Sequence, residues 1–164
     1  MVLTRQQVLD EFEKVKQTIM PFNLVVGNPP DVPDELPTAM FDAATLTISV
    51  NERFATHLPS PAICRWVAMH EIGHWQVVPH GSVISSVFSF ALLELVNEYT
   101  PRPFAGVAVP SLQNILADSI VNKWIEETGT NFGLFTQNDI ADIRKWYLDD
   151  MLKASGDLRK VMQH

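Results

Sequence analysis

Through the first twenty positions apolar side chains return every three or four residues. Val8, Phe12, Val15 and Ile19 share one face with charges opposite, Thr4 stands where a cap is needed, and Pro21 ends the run. This pattern predicts an amphipathic helix. FNLVVG predicts a short strand, and the proline-rich NPPDVPDELP after it predicts a surface loop, because proline neither donates to a strand ladder nor fits a helix interior. ATLTISVN, residues 44–51, alternates apolar and hydroxyl side chains, the period of a half-buried strand. The run AICRWVAMHEIGHWQVV then shows helical periodicity as far as Pro79. A third helix is expected from about Ser82 to Tyr99, broken by TPRPF, and a fourth after Pro110, capped by Ser111 and reaching Gly129. Thr136 or Asn138 starts a last helix to Lys153, with Ile140, Ile143, Trp146 and Tyr147 facing inward. One helix, a few strands and then mostly helices make an α+β order, helix-dominated, with a small mixed β-sheet.

Composition narrows this picture. A chain of 164 residues, 46% hydrophobic, suffices for one substantial core, so residues 1–164 are expected to form a single domain. A net charge of −7 without a dense Lys/Arg cluster offers no footprint for a phosphate backbone, which argues against nucleic acid as a partner. The lone Cys64 excludes an internal disulfide and a cysteine-rich zinc module, and its surroundings suit a small buried apolar residue. Arg5, Asp10, Glu11, Glu13, Lys14 and Lys16 interrupt the segment where a secretory signal would need an apolar block, and a cytoplasmic location is expected. GSVISSVFSFALL, residues 81–93, is uncharged but shorter than the roughly 18 to 20 residues a bilayer requires; it is expected to be a buried helix, with no membrane as partner.

The densest chemistry lies in WVAMHEIGHWQVVPH, residues 66–80. Residues four apart on a helix lie one turn apart on one face, so His70 and His74 can direct imidazole nitrogens at a single ion. Glu71 is turned about 100° from His70, beside such an ion rather than on it, and is the candidate general base. An H-E-x-x-H helix with Zn2+ activates water for peptide hydrolysis, since zinc brings the pKa of bound water to about 7. Val67, Ala68, Met69, Ile72, Gly73 and Trp75 make this helix free of other charge, and two histidines and a glutamate in such a setting are costly unless paired or ligating.

A catalytic zinc usually takes three protein ligands and keeps one position open. Four residues compete for the third place. His80 follows His70 at the spacing of the metzincin signature H-E-x-x-H-x-x-G-x-x-H, although Val77 stands where that signature has glycine. Glu94 and Glu98 sit one turn apart on the next predicted helix. Asp118 lies in NILADSIVNKWI, where Ile115, Leu116, Ile120, Val121, Trp124 and Ile125 occupy nearly every direction; a helix apolar all round is buried, and a buried carboxylate needs a cation or several donors. Asn122, one turn on, is a candidate outer-shell partner for it. Tyr99, Arg102, His57 and Tyr147 are candidate oxyanion donors, unranked.

HEIGHW followed by NILADSIVN resembles the zincin-type metallopeptidases of prokaryotes that carry H-E-x-x-H and a later N-I-A-x-D-x-x-I-N helix. The resemblance spans about 60 residues and implies a zincin-like fold, His70 and His74 as the first two ligands, Glu71 as base and Asp118 as the third ligand. It further implies a peptide or protein substrate, and an AAA-type ATPase or von Willebrand A domain protein as partner, since members often occur beside these. The leading expectation is therefore a zinc metalloprotease, with the strand at 44–51 edging a substrate cleft. The alternative is a catalytically inactive or latent zinc-binding adaptor of the same fold, its fourth metal position blocked.

Overall fold

The computed structural model describes residues 2–28, 31–32, 38–78, 87, 89–91, 94 and 102–147, the side chains of 102–112 and 114 excepted. Helix α1, Arg5–Thr18, begins where expected: the Thr4 hydroxyl accepts from the Gln7 amide while the Gln7 side chain accepts from the Thr4 amide, so two otherwise orphaned donors are satisfied. Val8, Phe12 and Val15 are wholly buried along its inner face.

Three strands follow, β1 (Asn23–Gly27), β2 (Ala39–Asp42) and β3 (Thr47–Asn51), in the sheet order β1-β3-β2. β3 is central, parallel to β1 and antiparallel to β2. Ile48 and Val50 on alternate positions of β3 are fully buried, as the alternation predicted. Its central place corrects one expectation: a strand paired on both sides cannot border a cleft, and the strand that reaches α3 is β2. AMFD is short and lacks β-branched residues, so no periodicity announced it.

Asn51 caps the short α2, Glu52–Thr56. Helix α3, Pro61–Gln76, is capped by the Ser60 hydroxyl with proline in the first turn, where its missing N–H costs nothing. Nine of its residues are buried, so α3 is the helix around which α1, β2 and the next helix gather. Its placement against α1 is fixed by a polar staple in the apolar interface. Arg65 pairs with the buried Glu11, donates from Nε to the Leu134 carbonyl at 3.0 Å and lies over the Phe135 ring at 5.7 Å. Lys14 reaches the other oxygen of Glu11 at 2.7 Å.

Helix α4, Arg102–Asn131, is longer than predicted at its start. The backbone continues through Pro110 and places Ser111 inside the helix; a proline forfeits one i to i−4 bond, and the rest of a 30-residue ladder tolerates that loss. At its far end Gly129 is a helix interior residue rather than a terminator. A Cβ there would stand 2.3 Å from the Phe135 ring, and the left-handed residue that releases the chain is Gly133, at φ 72°. A final helix, α5, occupies 137–147 after a Thr136–Asp139 capping pair, with Ile140 and Ile143 buried and Trp146 and Tyr147 packed on the core. The predicted helix at 82–99 lies largely outside the described residues; Ser89 is bonded to Gln113 of α4, while Val87 and Phe90 are exposed rather than buried. No helix among the described residues is long and apolar enough to cross a membrane. The architecture is α+β, dominated by helix, with one small mixed sheet.

Candidate metal centre

α3 and α4 cross closely at Gly73. A Cβ on Gly73 would lie 2.7 Å from Val121 Cγ1 and 3.1 Å from the Trp124 ring, so only a bare backbone permits this approach. The crossing sets His70 and His74, which flank Gly73 on α3, against Asp118, one turn before Val121 on α4. The Nε2 atoms of the two histidines are 3.0 Å apart, and Asp118 Oδ1 lies 3.5 Å from Nε2 of His70 and 3.2 Å from that of His74.

These three distances test whether a metal would fit. Zinc bonds of about 2.0–2.1 Å to nitrogen and oxygen in a tetrahedral shell hold ligand atoms roughly 3.3–3.4 Å apart. Edges of 3.0, 3.2 and 3.5 Å bracket that value, so two imidazoles and one carboxylate oxygen already outline one face of such a shell. The donor set, two nitrogens and one oxygen, is also one that zinc accepts.

Two of the three ligand candidates are held by a neighbour outside the cluster. The His70 ring stacks on Trp66 with centroids 4.6 Å apart, and its buried Nδ1 has no hydrogen-bond partner among the described residues, so the indole rather than an acceptor fixes its plane. Asp118 is held through its second oxygen: the Tyr147 hydroxyl donates to Oδ2 at 3.1 Å. Asn122, the expected outer-shell partner, has its Oδ1 buried without a partner among the described residues. Burial would raise the Asp118 pKa, but hydrogen bonds from His70, His74 and Tyr147 and the charge on His70 outweigh it and keep the carboxyl far below the ordinary carboxylate range.

Glu71 occupies the opposite regime. Burial pushes its carboxyl up to about 7, partly opposed by the His74 charge and by a hydrogen bond from the Phe41 amide, with the Asp118 charge adding to the rise. The Phe41 contact also orients the sheet. The Asn51 amide donates to the Thr38 carbonyl at 2.8 Å, which makes Thr38 and Asn51 a hydrogen-bonded pair; alternation then turns the polar backbone groups of Ala39 and Phe41 away from β3, to the free edge, the side of β2 that no strand among the described residues covers. That edge therefore faces Glu71. Between β2, α2, α3 and α5 a cleft of about 360 Å³ opens, lined by Thr38, Ala39, Phe54, Trp66, Val67, His70, Glu71, Trp146 and Tyr147.

Of the competing third ligands, His80 and Glu98 lie outside the described residues, and Glu94 is exposed and outside the cluster. Among the oxyanion candidates, Tyr99 and the side chain of Arg102 lie outside the described residues. The His57 ring bonds the Arg53 carbonyl at 2.7 Å on the exposed end of α2, and Tyr147 is engaged with Asp118. Sequence reasoning missed Trp66 and Phe41, and the only available signal for Trp66 was its position one turn before His70. Comparison with protein-family models, with curated proteins and with solved structures finds no match, so what the site does must be argued from its own residues.

Proposed function

We propose that this chain is a zinc-dependent peptidase of zincin type, in which His70, His74 and Asp118 hold the ion and Glu71 is the general base. The observation that carries the reading is the convergence of His70 Nε2, His74 Nε2 and Asp118 Oδ1 within 3.5 Å of one another, beside the half-buried carboxyl of Glu71, which is none of the three. When bound, zinc supplies Lewis acidity that makes water nucleophilic near neutral pH. The chain's own residues account for the rest. Asp118 contributes a permanent negative charge that offsets the cation, with Tyr147 keeping its second oxygen occupied. Glu71, whose carboxyl burial pushes up to about 7 in the metal-free protein, stands beside the ligands where it could accept a proton and return it to a leaving amine. The free edge of β2 supports a peptide as the substrate class, because an extended chain can add to a sheet edge by main-chain hydrogen bonds.

The test has two arms. Untagged protein should bind one zinc per chain, and zinc-loaded protein should cleave an unfolded polypeptide such as denatured casein. Glu71→Gln should keep the metal and lose at least about a thousandfold in rate, whereas Asp118→Ala should lose the metal. Undiminished cleavage by Glu71→Gln would remove the assigned base; the absence of stoichiometric zinc would remove the reading altogether.

A further inference from the structure

We propose that the cleft beside Glu71 is a subsite that selects a large apolar side chain, aromatic or long aliphatic, on an extended polypeptide lying along the free edge of β2. The proposal rests on the peptidase reading for its chemistry, but different observations carry it. Four aromatic rings, Phe54, Trp66, Trp146 and Tyr147, line the cleft with Val67, and its volume of about 360 Å³ falls in the range of small-molecule pockets. Among the described lining residues the ionisable groups His70 and Glu71 belong to the metal end. A charged side chain entering elsewhere would lose water and find no counter-charge.

The walls are also fixed in advance. Trp66 meets Trp146 edge-on at 5.6 Å and Tyr147 at the same centroid distance, and the Tyr147 hydroxyl is tied to Asp118. Rings held this way need little ordering when a side chain enters, so burial of an apolar group is kept as affinity. The approach is set by β2. Ala39 turns its amide and carbonyl to the free edge and borders the same cleft as Glu71, while Phe41, two residues along, turns its amide to that edge as well. Two strand residues span roughly 6.6–6.8 Å. A segment paired at Ala39 therefore passes Glu71 within one dipeptide, and alternation sends every second side chain towards the rings.

The experiment measures binding rather than turnover, so that it does not depend on the peptidase reading. Zinc-loaded Glu71→Gln protein is titrated by calorimetry with capped hexapeptides identical except for Phe, Leu, Ala, Asp or Lys at one position, scanned along the peptide. At one register Phe and Leu should bind at least about 30-fold more tightly than Ala, with Asp and Lys weakest. Adding Trp146→Ala should shrink the Phe preference to below about fivefold while zinc affinity and circular dichroism stay unchanged. Ala39→Pro, which removes an edge amide not used by β3, should weaken every peptide alike and leave the preference in place. Equal binding of the Phe and Asp peptides, a Phe preference that survives Trp146→Ala, or no binding of any peptide overturns the subsite. If the preference is present but zinc-loaded wild-type protein cleaves none of the peptides it binds, the subsite stands and the peptidase reading falls.

Discussion

Replacing Gly73 by alanine should cost the protein metal affinity as well as stability, and the geometry says why. The new Cβ would sit 2.7 Å from Val121 Cγ1, where carbon contacts are comfortable at about 3.5–4.0 Å. Val121 is fully buried and its branched side chain has little rotamer freedom, so the relief must come from α4 backing away from α3 by about 1 Å. Overpacking of this kind costs about 1–3 kcal/mol. Alanine in place of glycine in a helix interior returns roughly 0.5–1 kcal/mol, which leaves a net loss of about 0–2.5 kcal/mol. The metal centre has less tolerance. Asp118 stands on the moving helix and the histidines on the other, so distances of 3.2 and 3.5 Å would open towards about 4 Å, whereas metal–ligand distances hold to within roughly 0.2 Å. Zinc affinity should fall at least about tenfold, a lower bound because the Asp118 rotamer can recover part of the gap. Competition with a chromogenic chelator gives the affinity and urea unfolding of the metal-free protein gives the stability. If Gly73→Ala binds zinc within twofold of the wild type, the close crossing is not what assembles the three ligands.

Three further perturbations probe the surrounding structure. Tyr147→Phe removes the donor to Asp118 Oδ2 while keeping the ring, and should weaken zinc binding by about tenfold with an unchanged urea midpoint; in the cobalt-substituted protein the visible spectrum should change as Asp118 gains freedom to bind through both oxygens. Glu11→Ala leaves Arg65 in an apolar interface without its carboxylate and should destabilise the fold by about 3 kcal/mol in urea unfolding. The Cys64 thiol is pushed up to about 12 by burial, with the Glu11 charge adding and Arg65 opposing, so an aromatic disulfide reagent should label it only through unfolding, even at pH 9. Because its folded pKa is raised, the thiol stays protonated in the native protein while the unfolded chain ionises; its contribution to stability is complete below about pH 9 and declines as pH rises towards 12, and Cys64→Ala should flatten that decline.

The part of the site that follows from local periodicity was legible in the sequence. His70 and His74 share a face because four residues nearly complete a turn; Asp118 stood out among apolar residues, but the burial inferred from them was wrong, since Ile115, Leu116 and Ile120 are exposed and only Val121 and Ile125 of the set are buried. The crossing that joins the two helices was not legible, since Gly73 reads in sequence as one more small residue in an apolar helix and acquires its meaning only against Val121. The role of Tyr147 was equally hidden: it stood among the candidate oxyanion donors and as an inward-facing aromatic, whereas its contact with Asp118 joins residues 29 positions apart. β2 escaped notice because four residues without a β-branched side chain carry no propensity, and an edge position beside α3 is a tertiary fact. The early start of α4 was missed for the opposite reason, a strong local signal at Pro110 overridden by the length of the ladder around it.

Two carboxyls of similar intrinsic acidity thus share one site and are driven apart by what touches them. Asp118 is met by two imidazoles and a phenol, all of which favour its charged form, and it is held ionised. Glu71 is half-buried, and in the metal-free protein its desolvation prevails over the His74 charge to bring it to about 7. A site that merely bound a cation would gain from ionising both, and one that needed no cation would gain from burying neither. Separation of this kind suits a division of labour in which one carboxylate keeps its charge as a ligand while the other exchanges a proton near neutral pH. Exchanging the two carboxylates by Glu71→Asp with Asp118→Glu should therefore leave the protein without peptidase activity in a casein assay, because the groups that set each acidity in the metal-free protein belong to α3 and α5 and would stay where they are.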